Sequence, residues 1–359
     1  MEYLDAVNGL MGKRSRGAAV GAVAVTTFGV GCSFLFNADG LSQGSNDGAI
    51  PIADGSPTES GNGSPGCVVT GPETCGPVIT GENGVGKILV EGSRLAWMRG
   101  DVVRACQLSA CEATAVTVVD SEGADIAVDS DGLFLGAVQS GGAGHIYRLS
   151  FDGGAPTEIG VGENITTVTT DVNGTLLATF RRLLSCPGRY NCGEFDGWPL
   201  IAPSAEAPFM AIAGTPTLVF WVTRGSLRSC PRTGCSGGTA NVESTGLTDP
   251  RALTVDSKGV TFTDHGAGRV LRCPLAGCGS APTVLAAQTP TAAPLGVASD
   301  GTRVVWANEG DGTVVECSVD GCDKPRVIAY VAAPRYIALS NNTVFVSASG
   351  SDTIYRIDR

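Results

Sequence analysis

Residues 250–287 read PRALTVDSKGVTFTDHGAGRVLRCPLAGCGSAPTVLAA, and residues 293–330 read APLGVASDGTRVVWANEGDGTVVECSVDGCDKPRVIAY. Both stretches order their parts alike: an apolar run, a turn with Asp or Ser and Gly, then a second run ending in an aromatic. A Gly-rich loop follows, then a third run, a small cysteine loop and a fourth run. Phe262 precedes Cys273 by eleven residues, as Trp306 precedes Cys317. Earlier units fit with a shorter loop: Trp97 to Cys106, Leu177 to Cys186 and Trp221 to Cys230 each span nine. Four short β-rich runs recurring at about 40 residues, with almost no helical pattern, predict a β-propeller. The 51 glycines fit its many tight turns.

Seven units can be counted, with first strands beginning near Lys87, Ala124, Asn164, Pro208, Arg251, Ala293 and Arg335. Six is the rival count, because the unit at 164–205 is irregular. The last unit has RYIAL, TVFVSA and TIYRID, then ends without a fourth strand. The run PVIT (77–80) follows Cys75 as fourth strands follow Cys278 and Cys322. The expectation is an all-β closed ring of seven four-stranded blades, closed by this N-terminal strand; closure leaves only short, protected edges.

Of 13 cysteines, ten lie in five small loops: CQLSAC at 106, CPGRYNC at 186, CPRTGC at 230, CPLAGC at 273 and CSVDGC at 317. Residues flanking a four-residue hairpin loop face each other at roughly 4.5–5.5 Å between Cα atoms, within disulfide range. The expected pairs are Cys106–Cys111, Cys186–Cys192, Cys230–Cys235, Cys273–Cys278 and Cys317–Cys322, with Cys67–Cys75 as a sixth close pair. The second unit, GHIYRLSFDGG, has Leu149 and Gly154 at both cysteine positions, so the pair is lost together. Zinc would need four convergent ligands, whereas loops on different blades point apart and the only histidines are His145 and His265.

Cys32 stands alone. Before it, Lys13, Arg14 and Arg16 lead into the small apolar stretch Ala18 to Gly31, too short for a comfortable span. This order resembles a bacterial lipoprotein signal peptide, with translation starting at Met11 and lipid attached to Cys32. The expected organisation is a signal peptide at 1–31, a lipid-anchored Gly/Ser/Pro tether at 32–75 and the propeller at 76–359. The tether has too few apolar residues to order itself. Ser33 after the cysteine favours, by that resemblance, the outer membrane of an envelope outside the cytoplasm, where disulfides persist.

The stretches IAVDSDGLFL (126–135), LTVDSKGVTFTDHGAGRVLRCPLAG and VVWANEGDGTVVECSVDG resemble repeats of YWTD- and NHL-type propellers. The resemblance implies that Thr263-Asp264 and Ala307-Asn308 occupy the family's "TD" positions. It also implies that Asp129, Asp171 and Asp256 at first turns brace the ring. Trp97, Trp221, Phe262 and Trp306, once per blade, are read as packing between sheets. The run GENGVGKI (81–88) begins like a phosphate loop, but Ile88 replaces the Ser or Thr that holds Mg²⁺, and a strand follows where a helix is needed.

Loops from fourth to first strands and from second to third strands share one face. The candidate ligand face there comprises Arg99, Asp101, Arg224, Arg251, His265, Asn308, Glu309, Asp311 and Arg335. Asp125, Glu163, Asn164 and Asp249 are weak candidates for a divalent cation, the arrangement that a gluconolactonase-like relative would need. His265 is the one candidate general base on this face, and no catalytic residue is assigned. Removing residues 1–31 takes three basic and two acidic residues, leaving 21 and 33 and a net charge of −12. That charge disfavours nucleic acid and anionic lipid surfaces. The leading expectation is a binding or scaffold module for a protein or glycan partner, membrane-attached through its lipid, with no cofactor. The alternative is a metal-dependent, lactonase-like hydrolase with a divalent cation at the channel mouth.

Overall fold

The computed structural model describes residues 66–359 apart from 121–122, 131, 140, 172, 187–191, 204–207 and 280. Cys32, the leader and the tether at 32–65 lie outside the described residues. The chain folds into seven sheets whose four blade strands are antiparallel, five of four strands and two with an added fifth. The irregular unit is a true blade, so the count is seven rather than six: strands Ile165–Asp171, Gly174–Thr179, Leu183–Ser185 and Leu200–Ala202 form one sheet. Blades are numbered below in the order in which their first strands occur, starting at Val85–Glu91.

The second strand of a blade is sandwiched between neighbouring sheets, which explains its continuous apolar run. Gly259–Asp264 and Arg303–Asn308 are buried at every position. Trp97, Trp221, Phe262 and Trp306 are fully buried, as the packing reading expects. One apolar cluster lies between each successive pair of blades. The seventh, joining Ile354 and Phe345 of blade 7 to Val85 and Trp97 of blade 1, completes the circle.

Ring closure takes the form expected and adds a second contact. Strand Thr74–Ile79 pairs antiparallel with Thr353–Asp358, Cys75 opposite Ile357, and supplies the missing fourth strand. Just before it, Cys67–Val69 pairs with blade 6, Cys67 opposite Val331. Residues 67–75, counted above with the tether, are therefore part of the folded ring: 67–69 pair with the edge of blade 6 and 74–75 with that of blade 7. Buried Glu73 pairs with Arg326 at 2.5 Å, and Glu316 takes Arg326 at 2.6 Å and also Arg359, tying the two ends of the ring to blade 6.

All six disulfides join sequence neighbours. Cα separations are 4.6–5.5 Å in the five hairpin loops and 6.2 Å for Cys67–Cys75. The register confirms the internal comparison: Leu149 opposes Leu133 and Ile357 opposes Val344, as Cys273 opposes Val260 and Cys317 opposes Val304. The hairpin geometry differs from expectation in part. Among the described cysteine loops, blade 6 resumes its ladder directly after the turn, Ser318 opposite Gly321, whereas blades 4 and 5 turn at Pro231–Gly234 and Pro274–Gly277 without resuming it there. In blades 1, 4 and 5 the second cysteine lies in the connection, and the fourth strand starts later, at Val116, Asn241 and Thr283.

Blade 2, without a cystine, gains a cover from its neighbour. After Cys192, Gly193–Glu194 adds as a parallel edge strand beside Gly160–Val161. Phe195 and Trp198 then bury themselves where Gly160 and Gly162 leave no Cβ to obstruct them.

Candidate functional site: the channel mouth

The first strands of all seven blades line a central cavity of about 740 Å³. Its wall mixes polar groups with apolar side chains, Leu89, Val128, Leu253, Val297 and Ala338 among the latter. Polar groups gather near the ends where these strands begin, on the face predicted to bind.

Asp125 begins the first strand of blade 2 and accepts four hydrogen bonds: Lys87 Nζ at 2.9 Å, its neighbour Ile126 N–H at 2.9 Å, Thr167 Oγ1 at 2.7 Å and Val168 N–H at 3.0 Å. These donors come from blades 1, 2 and 3, so Asp125 is an inter-blade brace rather than an open cation ligand. Glu163 accepts from Arg182 Nε at 2.6 Å and Thr179 at 3.1 Å, away from Asp125. Asn164 is partly buried and has no side-chain partner among the described residues. The four weak cation candidates do not converge: among the described residues no group of three His, Cys, Asp or Glu is placed to hold a metal.

Asp249 organises blade 5. Its carboxylate accepts Arg251 Nε at 2.9 Å and sits 3.3 Å from His265 Nδ1. Fully buried Asp264 holds this loop, accepting the N–H groups of Thr248 and Asp249 at 2.9 Å each, and pairs with Arg269 at 2.5 Å. Thr263 donates to the Leu295 carbonyl of blade 6 at 2.9 Å. The "TD" pair thus braces the ring, as the resemblance implied. Its counterpart Asn308 is fully buried and donates to Thr313 at 2.8 Å; Asp311 accepts from Thr313 Oγ1 at 2.6 Å. Closing the Gly-rich hairpin leaves Asn308 no exposure and withdraws it from the expected ligand face, whereas Asp311 bonds within the turn and stays exposed. Glu309 reaches Arg335 at 3.2 Å, bridging blades 6 and 7. Asp101 and Arg224 are exposed and Arg99 is half-buried, each without a side-chain partner among the described residues.

Lys87 and Tyr336 are among the lining residues that escaped the sequence reading. Their signal was position: each stands on a first strand at a site facing the axis, an inference that needs the strand phase. Burial raises the Tyr336 pKa, and charges on Arg335, Asp125, Glu309 and Arg251 reach it. Those four belong to blades 7, 2, 6 and 5, which places the phenol near the axis.

The opposite face is built differently. Asp256 pairs with Arg272 at 2.7 Å and accepts from Ser299 of blade 6. Burial alone would raise its pKa, but the bonds from Arg272, Ser299 and the Lys258 N–H hold it at about 2. Asp171 takes Arg232 of blade 4 at 2.5 Å, Lys258 takes Asp320 of blade 6 at 2.7 Å, and Arg94 takes Asp152 of blade 2 at 3.3 Å. Asp129 is buried and belongs to the same first-turn position.

This architecture defines a seven-bladed β-propeller with a polar-rimmed channel. No protein-family profile and no curated protein matches the chain. Solved structures do. A streptogramin B lyase is 12% identical over 80% of this chain and 97% of its own, with a TM-score of 0.62. Virginiamycin B lyase from Staphylococcus aureus is 13% identical over 80% and 99%, at 0.61. YCF48 bound to D1 peptide is 10% identical over 81% and 96%, at 0.58. At such identities the likeness is one of fold, shared by lyases and a peptide-binding protein alike.

Proposed function

We propose that this chain is a binding module that presents its channel mouth to a protein partner while a lipid on Cys32 tethers it to the cell envelope, at the outer membrane. One observation carries the reading: Arg251–Asp249 and Arg335–Glu309 stay half-exposed at the channel mouth, while Asp256–Arg272 and Asp171–Arg232 on the opposite face are buried between blades and the other pairs there, Lys258–Asp320 and Arg94–Asp152, lie on the surface. Arg251 and Arg335 retain 45% and 39% side-chain exposure, against 8% for Arg272 and 11% for Arg232. A peptide is the partner chemistry such a mouth fits, with apolar side chains entering the cavity and backbone amides meeting the rim. A propeller of this fold, YCF48, is seen with a bound peptide. The metal-dependent alternative gains no such support, since each candidate carboxylate with a side-chain partner is already spent on cations or backbone.

Two experiments test the parts separately. Cys32→Ala should move the protein from envelope membranes to the soluble fraction; retention with an unchanged mature N-terminus contradicts the tether. Charge reversal at Arg251 and Arg335 should abolish a cross-linked complex in isolated envelopes. Undiminished cross-linking contradicts the channel-mouth assignment.

A further inference from the structure

We infer that the channel mouth recognises a carboxylate carried on an apolar body, as at the C-terminus of a peptide ending in an apolar residue. The inference rests on the channel-mouth reading and names the chemistry at its centre. It follows from the balance of donors and acceptors around the axis. Asp125 is saturated by four donors. Asp249 is neutralised by Arg251 at 2.8 Å and Glu309 by Arg335 at 3.2 Å. The cations keep donors in hand: a guanidinium carries five N–H groups and an ammonium three. Arg251 commits two nitrogens to Asp249, and Lys87 commits one bond to Asp125.

Tyr336 Oη adds a neutral donor with no partner among the described residues, and burial keeps it protonated well above neutral pH. Lys87 and Arg251, which line the cavity, with this phenol and the neighbouring Arg335 whose charge reaches it, therefore offer hydrogen bonds to an oxygen-rich anion, which accepts them strongly. Below them the Leu253, Val297 and Ala338 wall accepts an apolar side chain. Asp101, exposed on the rim and unpaired among the described residues, opposes an anion and sets a limit on affinity.

Fluorescence anisotropy on the full chain tests this with three probes: a short peptide ending in leucine with a free carboxylate, its C-terminal amide, and octanoate as competitor. The free acid should bind about ten-fold more tightly than the amide, about 1.4 kcal/mol. Arg335→Gln with Tyr336→Phe should erase that preference, and Asp101→Asn should strengthen binding of the acid. Displacement by octanoate as well as by the free-acid peptide supports the carboxylate chemistry and makes a free acid the source. Displacement by the peptide alone makes it a chain terminus. Equal binding of acid and amide, a preference untouched by the variants, or no binding of any probe overturns the inference. In the last case cross-links sensitive to charge reversal at Arg251 and Arg335 would leave the channel-mouth reading standing.

Discussion

The two faces of the ring use the same residue types for opposite purposes. On the face of the cysteine loops, Asp256–Arg272 and Asp171–Arg232 are sunk between blades, and each carboxylate or guanidinium also bonds the neighbouring sheet. On the channel-mouth face, Arg251–Asp249 and Arg335–Glu309 stand half in solvent, and Arg251 lines the cavity. Buried pairs become costly to break, because the survivor is left uncompensated. Exposed pairs contribute little to stability and remain free to exchange partners. The mouth carries braces as well, in Asp125 and Thr263, but sets its half-exposed pairs at the end of the channel.

The largest effect should come from the arm that closes the ring, which serves both faces. Deleting residues 67–79 removes the buried Cys67, Cys75, Val78 and Ile79 and bares the Thr353–Asp358 edge. The expected loss is on the order of 5 kcal/mol, with association through the open strand. A monomer with an unchanged melting temperature would show that blade 7 is held without it.

Next is Asp256→Asn, expected to cost about 2 kcal/mol at neutral pH. Its folded pKa of about 2 lies below the ordinary value of about 3.9. The native contribution is therefore complete above about pH 4 and is lost as pH falls toward 2. The variant should lack that portion of acid destabilisation in chemical-denaturation curves. Equal acid sensitivity would mean that the Arg272 and Ser299 contacts do not form as described.

Replacing Cys273 and Cys278 together by Ser should cost a comparable amount, on the order of 2 kcal/mol for so small a loop. Peptide mapping without reductant should show the other five pairings unchanged. Pairing between hairpins of different blades would break the local-staple account.

The smallest stability effect belongs to the mouth. Arg251→Gln and Arg335→Gln should each shift stability by no more than about 0.5 kcal/mol. A loss as large as that of Asp256→Asn would erase the contrast between faces.

Much of this was legible before the fold was known, and the reason is repetition. Phe262 and Trp306 could be aligned because a propeller reuses one solution per blade, and the closing strand followed from a missing run after TIYRID. Cysteine pairing followed from Leu149 and Gly154 replacing both partners together. The arm's first strand was missed because three residues, Cys67–Val69, carry too little pattern to signal pairing. The Gly193–Glu194 edge strand was missed because its partner lies in another blade. At the mouth, sequence named Arg251, His265, Glu309 and Arg335 from loop position alone. It could not tell that Asn308 is buried in its own turn, or that Lys87 and Tyr336 reach the cavity. Side-chain direction at a strand end depends on register, and bulges in the first strands shift that register, as between Pro250 and Leu253.

The most direct measurement is a photo-cross-linking scan comparing the faces in intact envelopes. A photoreactive residue would replace Asp101 or Arg224 at the mouth, and Lys258 or Asp320 on the opposite face, all four exposed. The account predicts one discrete adduct from the mouth positions, lost on charge reversal at Arg251 and Arg335, and none from the opposite face. Adducts from Lys258 or Asp320 alone, or equally from both faces, would contradict it.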